Sequence, residues 1–235
     1  MKNQLWHFGD SFAACDVERE DIFSKYISDY FNFDLNHCAK GGSSNFGIFN
    51  EMLKNINDFK SGDRLLINWS YLDRSQFFEK ERNSSKQDWI DTSRFIGENA
   101  FDGKIPKGDM WYDYMQEKMS FLNHWLDNTF NENVLLFNYI LFNFFNSLTF
   151  KGIISYHLFI NKNVELYQEG KVSGLASNII IPFENEINFE PSYFDWLVSN
   201  GYKTEESVHY KFGIQKILAD KILEQIKLVE EKDIF

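Results

Sequence analysis

The sequence predicts an α/β domain of three layers, with helices on both faces of a parallel sheet of about five strands. Three observations lead there. Short apolar runs alternate with longer segments of helical period through the N-terminal third. The chain ends in a long amphipathic helix. Its 235 residues, 43% hydrophobic and 18% aromatic, are enough for one large core.

The elements follow in order. Residues 5–8 read as a short buried strand. Residues 12–31 place Phe12, Cys15, Val17, Phe23, Tyr26, Ile27 and Tyr30 at helical spacing. Residues 33–39 form a second strand, and the Gly-Gly-Ser-Ser-Asn stretch after Lys40 is a loop. A helix is expected over 46–56, with Ser44 or Asn45 as its cap. After a turn at Ser61-Gly62-Asp63, residues 64–69 make a strong strand. Strand, helix, strand, helix, strand is the rhythm of a parallel sheet with crossover helices.

Residues 70–108 show no clear period and read as an irregular insertion or lid around 70–110. Helices are expected over 111–129 and 132–148, the second very rich in Phe, Leu and Tyr. A fourth strand falls at 153–160, and a short strand or loop wall at 178–182. A helix over 193–200 stops at Gly201. The closing helix, 211–229, turns Ile214, Ile217, Leu218, Ile222, Ile226 and Val229 inward. No repeat or linker divides the chain, so residues 1–235 are read as a single, flavodoxin-like domain.

The formal charge is −11, with no dense basic stripe. That argues against nucleic acid and against an anionic membrane surface, both of which need clustered Lys and Arg. Cys15 and Cys38 show no metal-ligand spacing and read as two buried thiols, with a Cys15–Cys38 disulfide as the alternative. No apolar leader follows the first residues, and the apolar run 134–148 is interrupted by Asn138, Asn143 and Asn146. The expectation is a soluble cytoplasmic protein; release by lysis, or incorporation in a phage particle, is compatible with it.

Chemistry is concentrated at the two ends of the chain. Phe8-Gly9-Asp10-Ser11 follows the first strand directly. Gly, Asp and Ser form turns and caps, but a serine at the carboxyl end of a first strand is also where open α/β sheets bind ligands. At the far end stands Glu205-Glu206-Ser207-Val208-His209. A carboxylate three residues before a histidine can orient the imidazole as general base toward a serine.

These blocks resemble the SGNH/GDSL hydrolase family. Gly9-Asp10-Ser11 is similar to its first block, the Asn36–Asn45 stretch to its second, and Glu206-x-x-His209 to its last. The similarity covers the N-terminal third and the last thirty residues. It implies a three-layer SGNH hydrolase fold and a serine esterase acting on acyl or acetyl esters. Ser11 would be the nucleophile, His209 the base and Glu206 the acid, with Glu205 as its alternate. Ser11 and Gly42 would supply oxyanion donors through their N–H groups. The third block departs from the family's Gly-x-Asn-Asp-like turn: the text is Asn68-Trp69-Ser70-Tyr71. Asn68 is the natural third donor, with Ser70 as the alternate. Glutamate in place of the family's aspartate lengthens the acid by one methylene.

Trp69, Tyr71 and Arg74 fall where loops should rim such a site and are candidate substrate-binding residues, so an O-acetylated carbohydrate is one expected substrate. No cofactor and no metal is called for. Asp10 reads as a loop brace, Asn45 as a cap or a brace of the Gly42 loop, and His157 as a satisfied core histidine. The aromatic run 137–150 reads as core or as a homo-oligomer contact. Two other readings compete on the same fold: a non-catalytic glycan-binding or phage-particle protein, which a serine-directed phosphonate would not label, and an acetyltransferase, which product analysis with an acceptor sugar would reveal.

Overall fold

The computed structural model describes residues 2–14, 22–41, 43–70, 136–159, 185–187, 189, 193–202 and 212–232, with the main chain of 74–80 and 87–93. Five strands form one parallel sheet: β1 (Gln4–Gly9), β2 (Asp34–His37), β3 (Arg64–Trp69), β6 (Ile154–Phe159) and β7 (Glu186–Ile187). Their spatial order is β2-β1-β3-β6-β7. The chain therefore steps from β1 to β2 on one side, then crosses back to place β3 on the other. This order is that of the flavodoxin-like α/β/α fold, and its switch point lies between β1 and β3.

Strands buried on both faces explain the sequence of this sheet. Along β1, Leu5 and His7 face one layer, and Trp6 and Phe8 the other. The first layer is built on α2 (Phe23–Tyr30), α5 (Tyr193–Ser199) and α6 (Gln215–Lys232), with Ile27, Leu197, Leu218 and Ile222 fully buried against Leu66 and Tyr156. The second is built on α3 (Asn45–Asn55) and α4 (residues 136–150). There Ile48, Met52, Leu141 and Leu148 pack against Leu65, Ile67 and Trp69. Each fully buried Leu, Ile or Phe contributes roughly 1.5–3 kcal/mol.

Beneath the sheet, at the amino ends of the strands, Asp63 is buried. It accepts hydrogen bonds from Gln4 N (2.9 Å), Trp6 Nε1 (3.2 Å) and Lys60 N (3.0 Å). At the end of α5, Gly201 takes the expected left-handed conformation (φ 67°). Gly201 N donates to Val198 O and Tyr202 N to Leu197 O, which closes the helix. No helix among the described residues is long and apolar enough to cross a membrane.

Several expectations are corrected. The helix expected over 12–31 is interrupted: α1 spans Ser11–Ala14, and Ile22 is extended (φ −78°, ψ 147°) ahead of α2. The first N–H of α2, that of Phe23, is taken by the buried Gln215 Oε1 (2.9 Å), so α2 starts where α6 can cap it. The insertion expected to be irregular contains an antiparallel hairpin, β4 (Arg74–Lys80) with β5 (Gln87–Ser93), in which Phe77 faces Ile90 and Phe78 faces Trp89. The fifth strand of the sheet is Glu186–Ile187. The segments 111–129 and 178–182 lie outside the described residues.

Candidate active site

The crevice outside the carboxyl ends of β1 and β3 is where such a sheet binds ligands. Ser11 stands there, at the first position of α1, two residues beyond Gly9 at the end of β1. Asp10 builds this turn. Its Oδ1 accepts from Phe12 N (3.0 Å), and its carbonyl accepts from Ala13 N (3.1 Å). The first N–H groups of a helix have no acceptor within it. Asp10 takes those of Phe12 and Ala13, and the helix itself makes no claim on the N–H of Ser11.

Gly9 lets α1 fold back this closely. A Cβ there would stand 2.5 Å from Ala13 Cβ and 2.8 Å from Asn68 Cβ, closer than carbon atoms approach. Glycine is thus fixed by packing rather than by an unusual backbone angle.

The ends of β1, β3 and α3 are tied together by two hydrogen bonds. Ser70 Oγ donates to Asp10 Oδ2 (2.9 Å), and Ser70 N donates to Asn45 Oδ1 (2.6 Å). All three residues are buried. Asp10 is a brace, as its sequence suggested. Asn45 braces too, but its partner is the end of β3, and the cap of α3 is Ser44, which accepts from Gly47 N (3.1 Å). Ser70 spends its hydroxyl on Asp10, which leaves it poorly placed as an oxyanion donor.

Asn68 pairs with Gly9 across the two central strands and is 0% exposed. Its Oδ1 lies 3.2 Å from His7 Nε2, and His7 Nδ1 lies 3.1 Å from His37 Nδ1. Two Nδ1 atoms facing each other need one proton between them. With His7 Nε2–H donating to Asn68, that proton sits on His37, and His7 Nδ1 accepts it. Burial, and next the neighbouring His37, hold the His7 imidazole well below the usual histidine range, against the hydrogen bond to Asn68 that raises it. His7 is therefore neutral. The chain His37–His7–Asn68 crosses three adjacent strands and fixes the Asn68 amide with Nδ2 turned away from His7. Among the described residues, Nδ2 has no hydrogen-bond partner.

The sequence, which shows no ligand spacing around His7 and His37, reads them as packed or exposed rather than functional. Strand alternation was the signal that could have found them: His7 lies two residues before Gly9, on the face that carries Asn68.

Trp69 needs correction. It was expected at the rim, but it is 0% exposed. Its ring stacks on His157 (6.1 Å between centroids, 7° between planes), and its Nε1 donates to His157 Nδ1 (3.1 Å). β3 runs through Trp69, and alternation turns the indole into the α3/α4 layer, leaving no ring face for a substrate. His157 is a satisfied core histidine; Nε2 lies 3.0 Å from Ser155 Oγ, and burial lowers its pKa to about 3.

Gly42, Tyr71, Glu205, Glu206 and His209 lie outside the described residues, as does the side chain of Arg74, whose main chain opens β4. Cys38 is a partly buried thiol, and Cys15 lies outside the described residues. Among the described residues no group of three or more His, Cys, Asp or Glu could hold a metal ion.

No family model matches the sequence, and no curated protein does. Among solved structures, the chain is similar to the psychrotrophic esterase EstA from Pseudoalteromonas sp., whose structure is inhibited by monoethylphosphonate. The identity is 12%, the match covers 96% of this chain and 97% of that one, and the TM-score is 0.45. A member of the lipolytic G-D-S-L family from Veillonella parvula is similar at 12% identity, over 94% of this chain and 96% of that one, with a TM-score of 0.43. The fold assignment rests on this chain's own strand order and pairing.

Proposed function

We propose that this chain is a serine ester hydrolase acting on acyl or acetyl esters. The observation that carries the reading is the position of Gly9-Asp10-Ser11: a serine on the first turn of a helix, at the switch point of a parallel sheet, with its turn locked by Asp10, Ser70 and Asn45.

In this reading Ser11 Oγ attacks the ester carbonyl while His209 takes its proton, and Glu206 holds the imidazole. The carbonyl π electrons move onto oxygen. That oxyanion is met by the N–H groups of Ser11 and Gly42, and by Asn68 Nδ2. A buried donor without a partner costs roughly 1–3 kcal/mol, and such groups call for an explanation, catalytic roles among them. An oxygen arriving at Asn68 supplies the missing acceptor. The tetrahedral intermediate collapses, the C–O bond to the leaving group breaks, and His209 returns the proton to the alkoxide. Water then attacks the acyl-enzyme by the same route and releases the acid.

An O-acetylated carbohydrate is the proposed substrate class. With Trp69 buried, Tyr71 and Arg74 are the remaining proposed contacts, on the segment leaving β3. The experiment is hydrolysis of p-nitrophenyl acetate and longer esters by wild type and Ser11→Ala, with phosphonate labelling of both. Activity and labelling lost together in Ser11→Ala support the reading. A wild type that neither hydrolyses esters nor labels sinks it.

A further inference from the structure

We propose that a second copy of this chain docks on the outer face of α4, as a two-fold pair of antiparallel helices centred on Asn143. The inner face of α4 is spent on the core through Phe137, Leu141, Phe144, Phe145 and Leu148. Nine positions of the helix face solvent, and none carries a charge. Leu136, Tyr139, Ile140, Phe142 and Phe150 are among them, with Tyr139 66% and Phe150 93% exposed. The opposite layer shows the contrast: of seven exposed positions on α6, five are charged, namely Lys216, Asp220, Glu224, Lys227 and Glu231.

The occupant follows from charge and from register. Two copies that each carry −11 repel wherever acidic surface meets acidic surface. The outer face of α4 is a patch where they approach without bringing like charges together. Seven of its nine solvent-facing positions, 136, 139, 140, 143, 146, 147 and 150, form a single stripe at helical spacing, with Phe142 and Thr149 along its flank. The stripe is symmetric about 143. Antiparallel pairing sets Leu136 against Phe150 of the second copy at both ends, and Tyr139 and Ile140 against Asn146 and Ser147. Asn143 meets its own equivalent at the axis, as a self-complementary interface requires. Its Nδ2 donates one hydrogen to Tyr139 O (2.7 Å), so its second N–H and its Oδ1 are the groups that pair reciprocally with those of the second copy across the axis. Opposed helix dipoles favour the same orientation.

The five large side chains leave roughly 500 Å² of apolar surface in water, near the top of what a monomer shows in one patch. That is more than half of the about 800 Å² each partner buries in a standard interface, with Asn146, Ser147 and Thr149 as polar groups around the axis.

The test is light scattering after size exclusion at tens of micromolar protein. Wild type should run at twice the 27.9 kDa of one chain, and Tyr139→Lys and Phe150→Glu at that of one chain with the far-UV circular dichroism of wild type and a melting temperature that no longer rises with protein concentration. A second measurement holds even if those variants fold poorly. Leu136→Cys mixed with Phe150→Cys should give a reducible cross-linked dimer on mild oxidation, above the level of oxidised wild type. A monomeric wild type overturns the proposal, and does so all the more clearly if it floats with neutral lipid vesicles. So does a dimer that survives both charge substitutions, or a mixture that fails to cross-link.

Discussion

Replacing Asn68 by leucine should separate activity from stability. Leucine has nearly the shape of asparagine, so packing beside Gly9 is kept. Two polar terms change and they oppose each other. The unpartnered Nδ2 disappears, which relieves roughly 1–3 kcal/mol, and His7 Nε2–H loses its acceptor, which costs about the same. Net stability should shift by less than about 1 kcal/mol. The reaction has no such offset: one oxyanion donor is worth roughly 10²–10³ in kcat. His7→Leu should lower kcat by a smaller factor, because it frees the amide to rotate, and should add nothing in the Asn68→Leu background. The assay is kcat and KM on p-nitrophenyl acetate alongside urea denaturation of the four proteins. If Asn68→Leu keeps kcat within threefold of wild type, Asn68 is no oxyanion donor. If the His7 and Asn68 losses multiply, the histidine does not act through the asparagine.

Three further outcomes are expected. Gly9→Ala should destabilise by about 1–3 kcal/mol and cut kcat roughly 10²-fold, since α1 must move to take Ala13 clear of the new methyl group, which Asn68 crowds from the other side; chemical denaturation and steady-state kinetics check both. Asp63→Ala should cost about 3 kcal/mol in urea denaturation with kcat unchanged, because three donors lose their buried acceptor far from Ser11. The third concerns pH. The His157 pKa lies near 3 in the fold and near 6.5 unfolded, so between them the unfolded chain binds the extra proton and stability falls with pH. About 2 kcal/mol should be lost by about pH 5 relative to about pH 8. His157→Gln should show a shallower dependence of melting temperature on pH over that window; equal slopes would refute the assignment.

What could be read from the sequence, and what could not, follows from where the chain is buried. β1 and β3 are buried on both faces and read as apolar runs broken only by His7 and Asn68, and the closing helix has one apolar stripe. Ser44 and Gly201 announced their roles because cap chemistry is local. The β4–β5 hairpin was missed because its apolar residues come as adjacent pairs, Phe77-Phe78 and Trp89-Ile90, which break the alternation of a half-buried strand. β7 has two residues, too few for any period. Trp69 was misplaced for a different reason. A tryptophan at the end of a strand looks like rim, and only the packing of the indole on His157 and Phe145 shows that this end is covered by the α3/α4 layer. The His37–His7–Asn68 chain joins residues of three strands and needs the strand order before it can be seen.

Asp10 allows a sharper distinction, between a group that reacts and one that holds. It is buried, one residue from Ser11, and ionisable, which are the marks of a catalytic acid. Its hydrogen bonds point to the other role, since both carboxylate oxygens are committed to the frame: one to Phe12 N, one to Ser70 Oγ. Asp10→Asn preserves this geometry. The amide oxygen accepts from Phe12 N, and the amide nitrogen donates to the Ser70 hydroxyl, which rotates to accept. Asp10→Ala removes both bonds. If Asp10 only holds, Asp10→Asn should keep kcat within about tenfold, while Asp10→Ala should lose roughly 10²-fold and 2–4 kcal/mol of stability. If proton transfer at Asp10 were part of the reaction, the asparagine variant would be as inactive as the alanine variant while folding as well as wild type. Kinetics and denaturation of the pair separate the two cases, because both substitutions remove the ionisable group and only the alanine also removes the hydrogen bonds that hold the turn.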